Sequence, residues 1–362
     1  MRGSHAAAGF TVLLALLTGC ATGDVAEPPS VAPTPTATPT PTLAAPVAPQ
    51  SILPLACADL FSAEEASALV LEEVSVIEDE SSVRNLSAIA ARQAGLLYCR
   101  WGGEDATDNS PNFRLDVSIL PDAAEAFDVG VWQVDDGATV YPAGSTTSEY
   151  RCYQILESYG ACFVNVLVDG FWARAELSNR GEESGFTSAV ADTTLMSIVD
   201  TLTAAIEGAA APRAAWEPPA GALSGAICGG GTVPAGTGES LRYPEFVAHD
   251  RVVRPECTVT GASGTSYGLT LVVGGAWALP TMMEELRSPW YEVGPLAPVQ
   301  LAGVEHAAYG CLAFCYVVAD VGSSALSISG TPPGWNGGEI AGYEDAFLAD
   351  VASLIPQIAA AG

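Results

Sequence analysis

Polar and apolar residues alternate with period two over residues 150–155, 161–168 and 171–177, and turn-forming clusters separate the runs, Glu157-Ser158-Tyr159-Gly160 and then Asp169-Gly170. This spacing predicts an antiparallel meander. The period then lengthens to that of an amphipathic helix over 185–206. The same ending comes again further on. Ser158-Tyr159-Gly160-Ala161-Cys162-Phe163-Val164 recurs loosely as Ala308-Tyr309-Gly310-Cys311 followed by Cys315-Tyr316-Val317-Val318, with a turn at Gly322-Ser323, an alternating strand over 325–329 and a helix over 339–359. The chain reads as a diverged duplication.

The opening of the first half is also legible. Ser62-Ala63-Glu64-Glu65 is a capping box that starts a helix soon after Cys57. A second helix over 83–94 stops at Gly95, and a strand over 96–101 carries Cys99. The second half has Cys228-Gly229-Gly230-Gly231 in place of the capped helix, which predicts an irregular entry and a smaller core. Pro212, Pro218 and Pro219 interrupt any periodicity and mark a linker over 208–220, short enough that the halves touch. The expected fold class is α+β. It comprises two tandem disulfide-stapled domains, residues 51–210 and 211–362, each an antiparallel sheet with packed helices.

Ahead of them, Arg2 is the only charge before an apolar run over 6–17, the layout of a secretory signal peptide occupying residues 1–19. The run is too short to span a bilayer. It ends in Leu17-Thr18-Gly19-Cys20, which resembles the bacterial lipobox. That resemblance implies diacylglyceryl modification of Cys20 and a mature chain that begins there. Two acyl chains suffice for stable anchoring. Residues 20–50 are then a lipidated cysteine and a disordered tether of proline, threonine and alanine, including Pro39-Thr40-Pro41-Thr42. In polyproline II geometry it reaches about 90 Å.

Eight further cysteines fall four and four: Cys57, Cys99, Cys152 and Cys162, then Cys228, Cys257, Cys311 and Cys315. An even set in an exported chain reads as disulfides, and a structural zinc site lacks its second close pair. Each half allows three pairings. The sequential one is favoured, because Cys152 and Cys162 lie symmetrically across a predicted hairpin.

Charge excludes one class of partner. The net charge is −29, and all thirteen basic residues are arginine. Nucleic-acid binding rests on a basic patch, so DNA and RNA are ruled out. The absence of lysine removes Schiff-base and P-loop chemistry. Residues 51–210 hold 26 acids against 7 arginines, and residues 211–362 hold 14 against 5. Such acidity serves solubility first.

Cys57-Ala58-Asp59-Leu60-Phe61-Ser62, followed by a helix, and Cys99-Arg100-Trp101, opening a strand, resemble small exported lipoprotein domains of unknown function from actinobacteria. Those proteins share a lipobox, a threonine–proline tether, a cysteine before a helix and a Cys-x-Trp strand. The resemblance covers about half of the first domain. It implies an antiparallel sheet with packed helices and brings no established activity. In the second half Cys257-Thr258-Val259 lacks the tryptophan.

Catalytic patterns are weak. Gly264-Thr265-Ser266-Tyr267-Gly268 has the spelling of a nucleophile elbow, with His306 as a conceivable base, but Ser266 leads into a strand rather than a helix. His249 and His306 lie outside any His-Glu-x-x-His pattern and read as surface or strand residues. Asp105, Thr107, Asn109 and Asp116 imitate a calcium loop that lacks its glycine and its final glutamate, so the segment reads as a polar turn. Glu78-Asp79-Glu80 reads as a solvated loop. Trp101 and Trp172 are expected in the core, whereas Trp290 and Trp335, in proline-flanked loops, are the better candidates for a binding surface; Trp132 and Trp277 are also available. The expectation is a lipid-anchored module on the outer face of the cell membrane, without catalytic residues, cofactor or metal. It would bind or scaffold an envelope protein or wall component. The alternative is a carrier with a cleft for a lipid or small ligand, and a serine hydrolase comes third.

Overall fold

The structure is a computed structural model. It describes residues 48–361 apart from 80–81, 84, 104–112, 128–147, 157–158, 180–189, 191, 220–221, 224–242, 286–294, 313 and 332–341. The fold is α+β, with seven α-helices and two antiparallel sheets among the described residues. Residues 45–362 form one compact unit.

Helices α1 (Cys57–Leu60) and α2 (Ala63–Val70) lead to strand β1 (Ser75–Glu78), helix α3 (Leu86–Gln93) and strands β2 (Leu97–Gly102) and β3 (Phe113–Leu120). The meander follows as β4 (Ser148–Leu156), β5 (Tyr159–Val168) and β6 (Phe171–Asn179), closed by α4 (Asp192–Gly208). The second half runs α5 (Pro244–Val252), β7 (Val253–Thr260), β8 (Ser266–Val272), a 3-10 turn at Gly275–Ala278, α6 (Leu279–Glu285), β9 (Ala297–Pro298), β10 (Ala307–Cys311), β11 (Cys315–Val321), β12 (Ser324–Gly330) and α7 (Tyr343–Ala361). Helices α5 and α6 have no counterpart in the periodicity reading, which had the second half enter without a helix.

Local chemistry sets the boundaries. Ser62 accepts from the Glu65 amide at 3.2 Å while Glu65 accepts from the Ser62 amide at 2.8 Å, so the two ends of a capping box satisfy each other. Asn85 caps α3 by accepting from the Ala88 amide at 2.8 Å. Gly95 ends that helix at φ +82°, and a Cβ there would stand 2.5 Å from Ile52. Asp169 and Gly170 both take positive φ, the turn that matches the twist of the hairpin β5–β6.

The sheets share one strand order. The first is β1-β2-β3-β6-β5-β4 and the second β7-β8-β12-β11-β10-β9. Removal of the edge strands β1 and β9 leaves the same five-strand pattern. The registers then superpose residue on residue: Cys99 pairs with Val117 as Cys257 pairs with Leu269, and Cys152 faces Cys162 as Cys311 faces Cys315. Disulfides join Cys57 to Cys99, Cys152 to Cys162 and Cys311 to Cys315, the last two across hairpins with Cα atoms 4.0 and 4.1 Å apart. Cys257 is also disulfide-bonded; Cys228 lies outside the described residues.

Each sheet buries one apolar face against helices of its own half. Leu115, Val117, Ile119, Ala173, Ala175 and Leu177 pack with α1, α2 and α4 around the T-shaped pair Phe61–Trp101. Tyr267, Leu269, Leu271, Val317, Leu326 and Ile328 pack against Phe347, Val351 and Ile355 of α7. The opposite faces are covered by exchange. Ile89 and Ala90 of α3 pack on Val272, Val318 and Ala325 of the second sheet, while Ala248 of α5 packs with Leu120 and Trp172 of the first. Hydrogen bonds repeat the exchange. Gln93 of α3 donates to the Val273 carbonyl at 3.2 Å, and Arg251 of α5 donates to the Pro121 carbonyl at 2.7 Å. Val273 and Pro121 each follow directly on the central strands β8 and β3. The linker is held down as well: the Arg213 amide donates to Ile52 at 2.8 Å, and Trp216 and Pro219 lie over Gly274, whose φ of +69° and lack of Cβ allow that approach.

Candidate functional site

The face of the first sheet turned toward α5 carries an unbroken series of ion pairs across four strands. Arg100 on β2 reaches Glu78 on β1 at 3.0 Å and Asp116 on β3 at 2.7 Å. Arg114 lies 3.1 Å from the other oxygen of Asp116 and 2.8 Å from Glu176 on β6. Arg174, beside Glu176 on the same strand, closes the series at 3.0 Å. Along β2, β3 and β6 these residues alternate with core residues, so the ladder is one face of a sheet whose other face is apolar.

All members are largely buried, and Arg174 is almost wholly so, its guanidinium 3.7 Å from the ring centre of Tyr243 and 4.2 Å from that of Phe163. Burial works against the charge on Arg100 and on Arg114. It is the largest single influence on each, but Asp116 together with Tyr98 and Glu78 for the first, and Asp116 together with Glu176 for the second, outweigh it, and the pKa of each rises. Burial, and then Asp116, also push the Tyr98 hydroxyl well above its ordinary range. Three guanidinium groups are thus paired with three carboxyls within the ladder, and the role that this pairing supports is one of register. A two-residue slip of β2 on β3 would set Arg100 opposite Arg114 or Ser118 instead of Asp116.

The second sheet presents small neutral residues at the matching positions: Thr258, Ser266, Gly268, Ser327 and Ser329 stand where Arg100, Arg114, Asp116, Arg174 and Glu176 stand in the first. Its polar cluster lies elsewhere. Asp320 on β11 is buried, and one carboxylate oxygen accepts from the backbone amides of Glu305 and His306 at 2.9 and 3.0 Å. Its other oxygen lies 3.0 Å from His306 Nδ1, and one donor atom from each of Glu305, His306 and Asp320 falls within 4.8 Å of the others. The matching position in the first sheet is Leu167.

Other residues singled out by sequence have structural roles. Ser266 is the exposed first residue of β8, not the apex of a strand-to-helix turn, so the elbow spelling belongs to a hairpin. That hairpin is fastened to α7 by Asp350, which accepts from the Ser263 amide at 3.0 Å, from the Ser263 hydroxyl and from the Tyr267 hydroxyl at 2.7 Å. Burial opposes the carboxylate charge, but the bonds from Ser263 and Tyr267 hold its pKa below the usual value. Asp116 belongs to the ladder instead of a calcium loop, and residues 105, 107 and 109 lie outside the described residues. Glu78 ends β1 and pairs with Arg100, which corrects its reading as part of a solvated loop. Trp101 and Trp172 are buried. Trp277 lies beneath Arg92 of α3 at 5.9 Å. His249 sits half-buried in the last turn of α5. Cys20, Trp132, Trp290 and Trp335 lie outside the described residues. Among the described residues no helix is long and apolar enough to cross a membrane.

No protein-family model, no curated protein and no solved structure matches this chain.

Proposed function

We propose that the chain is an exported envelope lipoprotein, held through Cys20 to the outer face of the cell membrane, whose body acts as a non-enzymatic binding or scaffolding module for an envelope protein or a wall component. The observation that carries this reading is the construction of the body. Each sheet is covered by the chain's own helices on both faces, one of them contributed by the other half, and hairpin disulfides fasten both meanders. A body of this kind suits a rigid surface fixture better than a carrier, which needs an apolar cavity to fill and release. The lipobox spelling at 17–20 and the proline–threonine tether support the location, and the likeness to actinobacterial lipoprotein domains agrees with it.

Native mass spectrometry of the mature Cys20→Ser form, purified gently from its own host, tests the module against the carrier. A bare protein mass is expected. A reproducible added mass of lipid or metabolite size would instead identify a carrier. In cells, the same substitution should move the protein from the membrane fraction to the medium, and continued membrane association would overturn the anchor.

A further inference from the structure

We infer that Glu305, His306 and Asp320 form a binding site for a borderline divalent metal of the zinc class, at the turn that enters β10. The register of one hairpin builds the site. β10 and β11 pair with Cys311 opposite Cys315 and Ala307 opposite Ala319, so the next pair outward is His306 and Asp320, tied by the Asp320 amide donating to the His306 carbonyl at 3.0 Å. The disulfide closes the far end of the same ladder.

Asp320 is pre-set for the role. One oxygen is held by the amides of Glu305 and His306, which fixes the carboxylate plane and leaves the second oxygen aimed at the imidazole, 3.0 Å from Nδ1. Zinc binds imidazole nitrogen and carboxylate oxygen at about 2.0–2.2 Å, so two ligands on one ion stand roughly 3 Å apart. The observed separation is close to this, so a small turn of the partly exposed imidazole admits an ion between them. Ligation through Nδ1 uses the imidazole tautomer that carries its proton on Nε2. Glu305, which is exposed, supplies the third ligand from the solvent side, and the remaining coordination position is left to water or to a donor from outside the chain.

The donor set decides the metal class. One nitrogen and two carboxylate oxygens suit zinc and its neighbours; calcium and magnesium take oxygen ligands, and copper(I) takes sulfur. A chain of net charge −29 raises the local concentration of any cation, so selectivity must come from the imidazole. The site is peculiar to the second half, since the first sheet has Leu167 where Asp320 stands. It does not depend on the anchoring or scaffold reading.

The test is a titration of the mature Cys20→Ser protein, stripped with chelator, with zinc followed by calorimetry and with cobalt(II) followed by its visible spectrum. One equivalent of zinc and cobalt bands of nitrogen–oxygen ligation are expected. His306→Gln, which leaves Asp320 bound to both backbone amides, should weaken zinc at least tenfold while its thermal unfolding in chelator stays that of the parent; Glu305→Gln should weaken it less. Millimolar calcium should not displace the zinc. The assignment is overturned if the parent takes up no zinc; it is also overturned if His306→Gln binds zinc as the parent does or if calcium competes, since either of these would place the ion on the acidic surface at large.

Discussion

The two sheets share strand order, cysteine positions and the exchange of a covering helix, and the patch under each exchanged helix is apolar: Val272, Val318 and Ala325 meet Ile89 and Ala90, and Leu120 and Trp172 meet Ala248. The rest of those two faces differs in chemistry, for the second sheet carries Thr258, Ser266, Gly268, Ser327 and Ser329 there. In the first sheet the face beside α5 is crossed by Glu78, Arg100, Asp116, Arg114, Glu176 and Arg174. The same backbone therefore tolerates either filling, and the shared requirements are the strand order and the hairpin bridges. What the charged filling adds is a constraint on register. Desolvating so many charges makes a ladder of this kind a weak source of net stability, but removal of one member strands its partners in a buried setting.

The largest expected effect follows from that asymmetry. Asp116→Ala leaves Arg100 and Arg114 without the carboxylate they share, and denaturant unfolding should show a loss of about 3–5 kcal/mol. Ser329→Ala, at the position in the second sheet that corresponds to Glu176, should cost below about 1 kcal/mol. Equal costs at the two sites would show that the contrast between the faces carries no energetic weight. Next comes the exchange itself. Ile89 is fully buried against the other half's sheet, and Ile89→Ala should cost roughly 3 kcal/mol. Because neither sheet is covered on both faces without the other half's helix, calorimetry should still show one transition at a lower temperature; two separated transitions would mean that the halves are independent after all.

Much of this architecture was legible from residue patterns, and the parts that were not have identifiable causes. The meander and its closing helix repeat with clear periodicity, and the capping box at Ser62 marks α2. Helix α5 was not, because Pro244-Glu245-Phe246-Val247-Ala248-His249 buries little more than Pro244 and Ala248 and its partners belong to the other half of the chain. The ladder was invisible for a related reason: Arg100, Asp116 and Glu176 are far apart in sequence, and alternating charge in a strand reads as a solvated face until a helix is found over it. The His306–Asp320 pair was within reach. Once Cys311 is set opposite Cys315, counting outward along the hairpin brings residue 306 opposite residue 320. A His-Glu-x-x-His pattern marks ligands one helical turn apart and is blind to a histidine whose partner lies across a strand.

The hairpin bridges allow a narrower test of equivalence. Cys152–Cys162 and Cys311–Cys315 occupy matching positions but close loops of different length, with sequence separations of 10 and 4. On the loop-entropy account, replacing both cysteines by alanine should cost about 3 kcal/mol in the first hairpin and about 2 in the second. A larger loss in the second would show that the bridge there also holds the turn at Glu305 and His306 in place, which the zinc titration would register as weakened binding.

The smallest expected effect has the opposite sign. Glu245 opens α5 beside the ladder, where burial raises its pKa although Arg174 draws it down. A carboxyl whose pKa is higher in the folded state favours folding while it is protonated, below the ordinary carboxylate range, and loses that contribution as pH rises through the folded value. Near neutral pH it is therefore a burden. Glu245→Gln removes the titration and keeps the side-chain shape, so the variant should be slightly more stable than the parent at pH 7, with the gap closing as pH falls toward the ordinary value for glutamate. Melting temperatures across that interval decide the matter. A variant less stable at pH 7 would mean that the attraction of Arg174 for the carboxylate prevails over its burial, and that the ladder extends through α5 into the second half of the chain.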